Sequence, residues 1–142
     1  MLNQKIQSLI RDVPDFPKEG IVFKDITPLL SDPSLCTEIV HAFVENLNDL
    51  KVDAVVGIES RGFLFGMILS NALNVPFIPI RKKGKLPYNV VSCQYDLEYG
   101  SAEIEMHVDS IEKGWNVLIH DDLLATGGTA AASAELIKKL GG

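Results

Sequence analysis

Apolar residues recur at helical spacing in four segments of the chain. The first segment predicts a short amphipathic helix that ends near residues 13–14. The second predicts a helix capped by Asp32, with Pro33 at its first position, where proline is well tolerated. Residues 63–73 are apolar at nearly every position, which predicts a helix buried on all sides. A fourth helix is predicted over residues 128–140.

Short apolar runs of strand length lie between these helices. The runs at residues 54–58, 76–80 and 116–120 are continuous, as in parallel strands covered on both faces. Residues 90–96 and 102–108 predict an antiparallel hairpin, and the second strand alternates so that its polar face should be wet. We therefore predict an α/β fold in which helices flank a mostly parallel sheet with a hairpin flap.

The chain shows no internal repeat and no linker. Residues 14–33 are rich in Pro and Gly and predict a long ordered loop. We predict a single domain over residues 1–142, with an N-terminal segment at 1–30. The remainder forms a core with a flexible loop at about residues 81–100.

Composition narrows the possible classes of function. The 142 residues are 46% hydrophobic and 23% charged, which is typical of one packed globular domain. The formal net charge of −6 disfavours nucleic-acid and anionic-membrane partners. No apolar run reaches the roughly 18 residues of a membrane helix, and the two cysteines match no metal or redox spacing. We expect a cytoplasmic protein without nucleic-acid or membrane partners.

The strongest candidate for a ligand site follows the strand at residues 116–120. Asp121 and Asp122 come first, and a Thr-Gly-Gly-Thr turn then leads into the last helix. Amides at a helix start bind anions, and glycines let the backbone approach them closely. Carboxylates accept hydrogen bonds from sugar hydroxyls, so the pattern favours a ribose 5-phosphate. The phosphate would lie on Ala125, Thr126, Gly127, Gly128 and Thr129. The alternative is an acidic pair that only caps the helix.

A basic segment follows the strand at residues 76–80. Its cations are Arg81, Lys82 and Lys85. Ligands of such sheets bind beyond the carboxyl ends of the strands, so these cations could neutralise an anion there. The alternative is a solvated basic turn, which is what most short charge runs are.

Five motifs carry a resemblance to a known family. VLIHDDLLATGGTA at residues 117–130 resembles the phosphoribosyl-pyrophosphate (PRPP) signature of the type I phosphoribosyltransferases. Four more resemble motifs of the adenine phosphoribosyltransferases, in the order of that family. They are FPKEGIVFKDITP at 16–28, ESRGF at 59–63, IRKKGKLP at 80–87 and LEYG at 97–100. Together the five motifs cover most of the chain.

The resemblance implies Mg²⁺-dependent transfer of the phosphoribosyl group from PRPP to N9 of adenine, giving AMP and pyrophosphate. It also implies a homodimer. Mg²⁺ would reach the site on PRPP oxygens and water, without a protein ligand. Family members usually continue for a few tens of residues beyond the position of Gly142, so the C-terminal part of the family fold is expected to be absent. An alternative function is therefore a module or truncated remnant that binds PRPP or AMP without catalysis.

The resemblance further implies roles around the leaving pyrophosphate. Arg61 would hold this group, in a loop that carries a cis peptide between Glu59 and Ser60. The basic segment would neutralise the group as it departs. Tyr99 would contact it as well.

For the base, the resemblance implies that Phe23 stacks on adenine while backbone groups of Val22 and Lys24 read its edge. Glu98 would be the catalytic residue, protonating or hydrogen-bonding the imidazole side of the purine. The alternatives are that Phe23 is a core residue and that Glu98 is an exposed hairpin carboxylate.

Overall fold

The computed structural model describes residues 1–97, 100–122 and 127–142. They group into two compact units, Met1–Asn46 and Leu47–Gly142. The single domain with an N-terminal segment at residues 1–30 stays a prediction. No helix within the described ranges is both long and apolar enough to cross a bilayer.

The first unit combines helices with a small antiparallel sheet. Its elements are α1 (Leu2–Leu9), β1 (Arg11–Pro14), β2 (Val22–Asp25), α2 (Thr27–Leu30) and α3 (Pro33–Asn46). The Asp32 carboxylate accepts a hydrogen bond from the Leu35 amide at 3.0 Å, which confirms the predicted cap of α3.

The prediction of a loop over residues 14–33 is wrong, because this stretch contains β2 and α2. The predicted end of α1 is also too late, since Ile10 is already extended and β1 follows. β1 and β2 pair along their whole length, with Val13 opposite Phe23. A local count of Pro and Gly cannot predict that residues ten positions apart will pair across two strands.

The second unit holds a five-stranded sheet with a helix after its first and last strands. The elements are β3 (Ala54–Ile58), α4 (Gly62–Leu73), β4 (Phe77–Lys82), β5 (Val90–Leu97), β6 (Gly100–His107), β7 (Val117–His120) and α5 (Gly128–Lys139). All were predicted from the sequence with boundaries that differ by at most two residues.

The sheet is mixed, so the prediction of a mostly parallel sheet is wrong although the α/β class is confirmed. The strand order is β5-β6-β4-β3-β7. β3 runs parallel to β4 and β7, whereas β6 is antiparallel to both β4 and β5. The predicted flap therefore extends the sheet, because β6 pairs with the end of β4 at Arg81 and Lys82.

The polar face of β6 is not open to water as predicted. Glu105 is only 8% exposed and accepts a hydrogen bond from the Gly84 amide at 2.8 Å. Lys83 pairs with Glu103 at 3.2 Å, and His107 accepts from the Tyr88 amide at 3.3 Å. The segment after β4 thus lies along this face and satisfies its polar groups.

β3 forms the centre of the core, and all five of its residues are buried. α4 packs on β3 and β4. Its predicted burial on all sides is wrong, because Leu64, Met67 and Ile68 are 42%, 54% and 49% exposed. These positions form one helix face, and the rest of α4 covers the sheet.

The register of the parallel strands places three loops at one edge of the sheet. Ile58 lies beside Ile80, and Gly57 lies beside His120. The carboxyl ends of β3, β4 and β7 therefore point the same way, as predicted for a ligand site in such a sheet.

Candidate functional site

The loop after β3 approaches the loop after β7 very closely. A Cβ atom on Gly62 would lie 3.1 Å from both the Asp121 carboxylate and the His120 carbonyl. Glycine at this position is what allows the two loops to meet. The peptide bond between Glu59 and Ser60 is cis, as predicted.

An ion pair joins these two loops. Arg61 Nε lies 2.7 Å from Asp122 Oδ2, and the side chains are 29% and 16% exposed. The residue assigned to pyrophosphate and a residue assigned to ribose are therefore direct neighbours. The sequence analysis placed both in the site without predicting this contact.

The adjacent carboxylates of Asp121 and Asp122 differ in environment. The Asp122 amide donates to Asp121 Oδ1 at 2.8 Å. Burial, reinforced by the neighbouring carboxylate, raises the pKa of Asp121 to about 6, while the Arg61 charge opposes the rise. Asp121 thus changes its charge close to neutral pH.

The predicted phosphate turn leads into α5. Gly127 has φ of 85°, a left-handed conformation that favours glycine, and α5 begins at the next residue. Thr129 donates a hydrogen bond to the Tyr95 hydroxyl at 3.2 Å. Gly127, Gly128 and Thr129 thus stand at a helix start as predicted. Ala125 and Thr126 lie outside the described residues.

Glu59 contacts three residues of the basic segment at the carboxyl ends of β3 and β4. Its carboxylate accepts hydrogen bonds from Arg81 Nε at 2.9 Å, from the Lys82 amide at 3.3 Å and from Lys85 Nζ. Burial by itself would raise the pKa of the Glu59 carboxyl, but the bonds from Lys85 and Arg81 outweigh it and lower the pKa.

The sequence analysis gave Glu59 no role. A signal was available, because Glu59 directly follows a buried strand and the basic segment follows the neighbouring parallel strand. Acid and bases at the same sheet edge are expected to pair.

His120 is the last residue of β7. Burial lowers the pKa of its imidazole, and the charge of Asp122 opposes this effect. It is therefore neutral at pH 7.

The residues assigned to the base lie on β2 in the first unit. The rings of Phe16 and Phe23 meet edge to face with centroids 5.2 Å apart. Val22 is 54% exposed, and Lys24 pairs with Asp12 at 2.6 Å. Glu98 and Tyr99 lie outside the described residues.

The described residues contain no cluster of three or more His, Cys, Asp or Glu side chains that could hold a metal ion. Of the two carboxylates in the site, Asp122 is engaged by Arg61. Mg²⁺ retains several waters and needs few protein ligands. The carboxylate oxygens of Asp121 and Asp122 are of the kind that Mg²⁺ binds.

Comparison with known families gives a match over most of the chain. Residues 28–142 match the model of the phosphoribosyl transferase domain. The chain is 56% identical over 142 residues to the adenine phosphoribosyltransferase of Cytophaga hutchinsonii. This match covers 100% of the chain and 78% of the relative.

Solved structures of related proteins have the same fold. The adenine phosphoribosyltransferase of Thermoanaerobacter pseudethanolicus superimposes with a TM-score of 0.96 at 48% identity, covering 100% of this chain and 82% of that one. The enzyme of Saccharomyces cerevisiae, in complex with adenine and an imino-altritol bisphosphate, gives a TM-score of 0.91 at 43% identity. That match covers 98% of this chain and 81% of the yeast chain.

Proposed function

Because the chain belongs to the adenine phosphoribosyltransferases, which convert adenine and PRPP into AMP and pyrophosphate in purine salvage, we propose that two groups of residues divide PRPP between them. One group, after β7, takes the ribose 5-phosphate. The other, after β3 and β4, takes the pyrophosphate. The contact between Arg61 and Asp122 carries this proposal, because it joins the two groups at one sheet edge.

The ribose 5-phosphate fits the residues between β7 and α5. The carboxylates of Asp121 and Asp122 accept hydrogen bonds from the ribose 2- and 3-hydroxyls. The 5-phosphate lies on residues 125–129, and the amides at the start of α5 favour an anion there. The Thr129 hydroxyl can donate to the phosphate if it turns its proton away from Tyr95 and accepts from the Tyr95 hydroxyl, which lies 3.2 Å away, instead.

The pyrophosphate group fits the cations at the ends of β3 and β4. Arg61, Arg81 and Lys85 supply positive charge there, and Lys82 adds its own. PRPP enters as its Mg²⁺ complex, in which the metal ion neutralises part of the pyrophosphate charge. Asp121 and Asp122, on the ribose side of the site, would contact the ion through water.

Adenine binding is assigned to residues of β2 and, from the family resemblance, to Glu98. Phe23 stacks on the base, since any aromatic face can serve this purpose. Backbone groups of Val22 and Lys24 read its edge. Glu98 protonates or hydrogen-bonds the imidazole side of the purine, and Tyr99 contacts the leaving group.

The reaction asks little covalent chemistry of the protein. The bond between the anomeric carbon and pyrophosphate breaks through an oxocarbenium-like transition state, and N9 of adenine bonds to that carbon. The site residues align sugar and base. The cations stabilise the charge that develops on the departing pyrophosphate.

We also propose that the protein is a homodimer. The exposed face of α4 presents Leu64, Met67 and Ile68 within a well-packed helix. Contiguous exposed apolar side chains of this kind mark interaction surfaces. A second copy of the chain is the partner that the family resemblance implies.

AMP formation from adenine, PRPP and Mg²⁺ tests the assigned roles. We expect the protein to form AMP from adenine. Hypoxanthine and guanine should compete only weakly with adenine. Glu98→Ala should lower kcat by about 100-fold or more, in the range of general acid–base catalysis, while PRPP still binds. PRPP binding without AMP formation in the unmodified chain would contradict the proposal and favour a non-catalytic module.

The pH dependence tests the environment of Asp121. Because its pKa is raised to about 6, the acid is protonated below that pH and accepts sugar hydroxyls fully only above it. We therefore expect kcat/KM for PRPP to rise through about pH 6. Asp121→Asn should lose this part of the profile.

The 5-phosphate of PRPP also ionises near pH 6. This ionisation of the substrate also affects Asp121→Asn. A difference between the pH profiles of the unmodified chain and Asp121→Asn is therefore due to Asp121. Identical profiles would show that Asp121 does not titrate in this range.

A further inference from the structure

The carboxylate of Glu59 lies inside the proposed pyrophosphate site and has no part in the reaction as assigned. Its side chain is 10% exposed, whereas those of Arg81 and Lys85 are 36% and 46% exposed. A buried anion is thus paired with two cations that reach toward solvent. The same two cations are those assigned to pyrophosphate.

We propose that Glu59 is a built-in counterion that pyrophosphate displaces. Without ligand, the carboxylate holds Arg81 and Lys85. When PRPP binds, its pyrophosphate oxygens take over these cations, and Glu59 takes them back as pyrophosphate leaves. This inference rests on the proposed role of Arg81 and Lys85 toward pyrophosphate.

Carboxylate and phosphate oxygens accept the same charge-assisted hydrogen bonds from guanidinium and ammonium groups. A ligand phosphate must therefore compete with Glu59 for its donors. It must also lie near a negative charge that a mostly buried side chain cannot withdraw into water. Two negative charges held close together in a site that is largely shielded from water repel each other. Both effects weaken pyrophosphate binding and favour its release.

The geometry explains why such a device is useful. The four cations assigned to this multiply charged product would hold it tightly, and product release limits turnover in many enzymes. Because Glu59 already contacts Arg81 and Lys85, its carboxylate can pair with them again while pyrophosphate leaves. Glu59 is thus a positioning residue, since it acts through Arg81 and Lys85.

The same turn provides a matched control. Glu103 pairs with Lys83 at 3.2 Å on the β6 side, and the Lys83 side chain is 72% exposed. Glu103→Gln removes one negative charge that is paired with the segment after β4, as Glu59→Gln does, although Glu103 makes one ion pair and Glu59 makes two. It does so away from the carboxyl end of β3.

The test measures pyrophosphate binding by calorimetry with Mg²⁺ on the whole chain. Glu59→Gln should lower the Kd for pyrophosphate about tenfold, since a nearby like charge is lost. In steady state, kcat and KM for PRPP should fall together, because release slows while binding tightens. Glu103→Gln should leave all three within about twofold. A merely structural role would raise KM and the Kd instead.

A second variant guards against misfolding. Glu59→Asp keeps the charge but withdraws it by one methylene, so pyrophosphate should bind about threefold tighter than to the unmodified chain. If Glu59→Gln binds pyrophosphate no more tightly than the unmodified chain does, Glu59 is not a counterion that pyrophosphate displaces. If Glu59→Gln does not fold, the same result in Glu59→Asp leads to the same conclusion.

Two further variants separate this inference from the proposed function. Arg81→Ala and Lys85→Ala should each weaken pyrophosphate binding. If they do so while the Glu59 variants bind pyrophosphate no more tightly, the counterion role of Glu59 is wrong but the proposed pyrophosphate site is supported. If neither weakens it, the pyrophosphate assignment itself fails, and the counterion with it.

Discussion

Asp122→Asn is expected to lower kcat/KM for PRPP by at least about 100-fold. The substitution keeps the shape of the side chain but removes the charge that accepts the ribose hydroxyls. Each hydrogen bond to a charged group contributes about 1.5–3 kcal/mol, so losing the charge that binds both a hydroxyl and Arg61 costs at least about 3 kcal/mol. It also leaves Arg61 without the carboxylate now 2.7 Å away. Steady-state kinetics with PRPP varied at saturating adenine measures the effect.

Asp53→Asn is the control for that substitution. Asp53 also bonds β7, accepting from the Asn116 amide at 2.8 Å, but at the opposite end of the strand. We expect its kcat/KM to stay within about threefold of the unmodified value. Should Asp122→Asn behave like Asp53→Asn, ribose does not lie on the acidic pair.

Gly57→Ala is expected to destabilise the second unit by about 2–3 kcal/mol, a large overpacking penalty for one methyl group. Gly57 is buried in β3, where a Cβ would lie 2.6 Å from the Phe77 ring and 2.8 Å from the Gly62 carbonyl oxygen. The ring can rotate, but the carbonyl belongs to the backbone that positions Arg61. Urea denaturation should show a lower midpoint, and KM for PRPP should rise with the displaced loop.

Gly66→Ala separates the two clashes. A Cβ on Gly66 would lie 2.9 Å from the same Phe77 ring and 3.5 Å from the His120 ring, and alanine favours the helix in which it stands. We expect a smaller loss of stability and an unchanged KM. An equal loss in both variants would mean that the ring alone, and not the Gly62 backbone, limits the size of residue 57.

Local sequence patterns were sufficient for the central elements of the second unit. Ala54–Ile58 is a continuous apolar run between turns, and the structure buries every residue of it. The acidic pair and the Gly-Gly turn were recognisable because their neighbours in space are also their neighbours in sequence. The order of strands then placed the loops after β3, β4 and β7 together.

Features that depend on pairing at long range were beyond the same reasoning. The alternation in β6 predicts a wet face, but only the course of the segment after β4 makes Glu105 buried. Likewise, the apolar run of α4 predicts burial without saying how much of it the sheet covers. Pairing of Val22–Asp25 with β1 is set by tertiary contact and overrides the turn-forming composition around it.

The site shows the same division. Asp122, Arg81 and Lys85 were predicted singly from their positions after core strands, and Arg61 was assigned through the family resemblance. The pairing of Arg61 with Asp122, and of Glu59 with the basic segment, requires the register of three strands and the close approach at Gly62. These contacts define how charge is shared before any ligand binds.

The division of PRPP between the two groups of residues, one after β7 and the other after β3 and β4, is tested most directly by a crystal structure. The crystal should contain the chain with Mg²⁺, ribose 5-phosphate and pyrophosphate. We predict the sugar hydroxyls on Asp121 and Asp122, the phosphate on the turn before α5, and pyrophosphate against Arg61, Arg81 and Lys85. Ribose 5-phosphate bound away from the β7–α5 turn, or an empty turn at saturating concentration, would contradict the account.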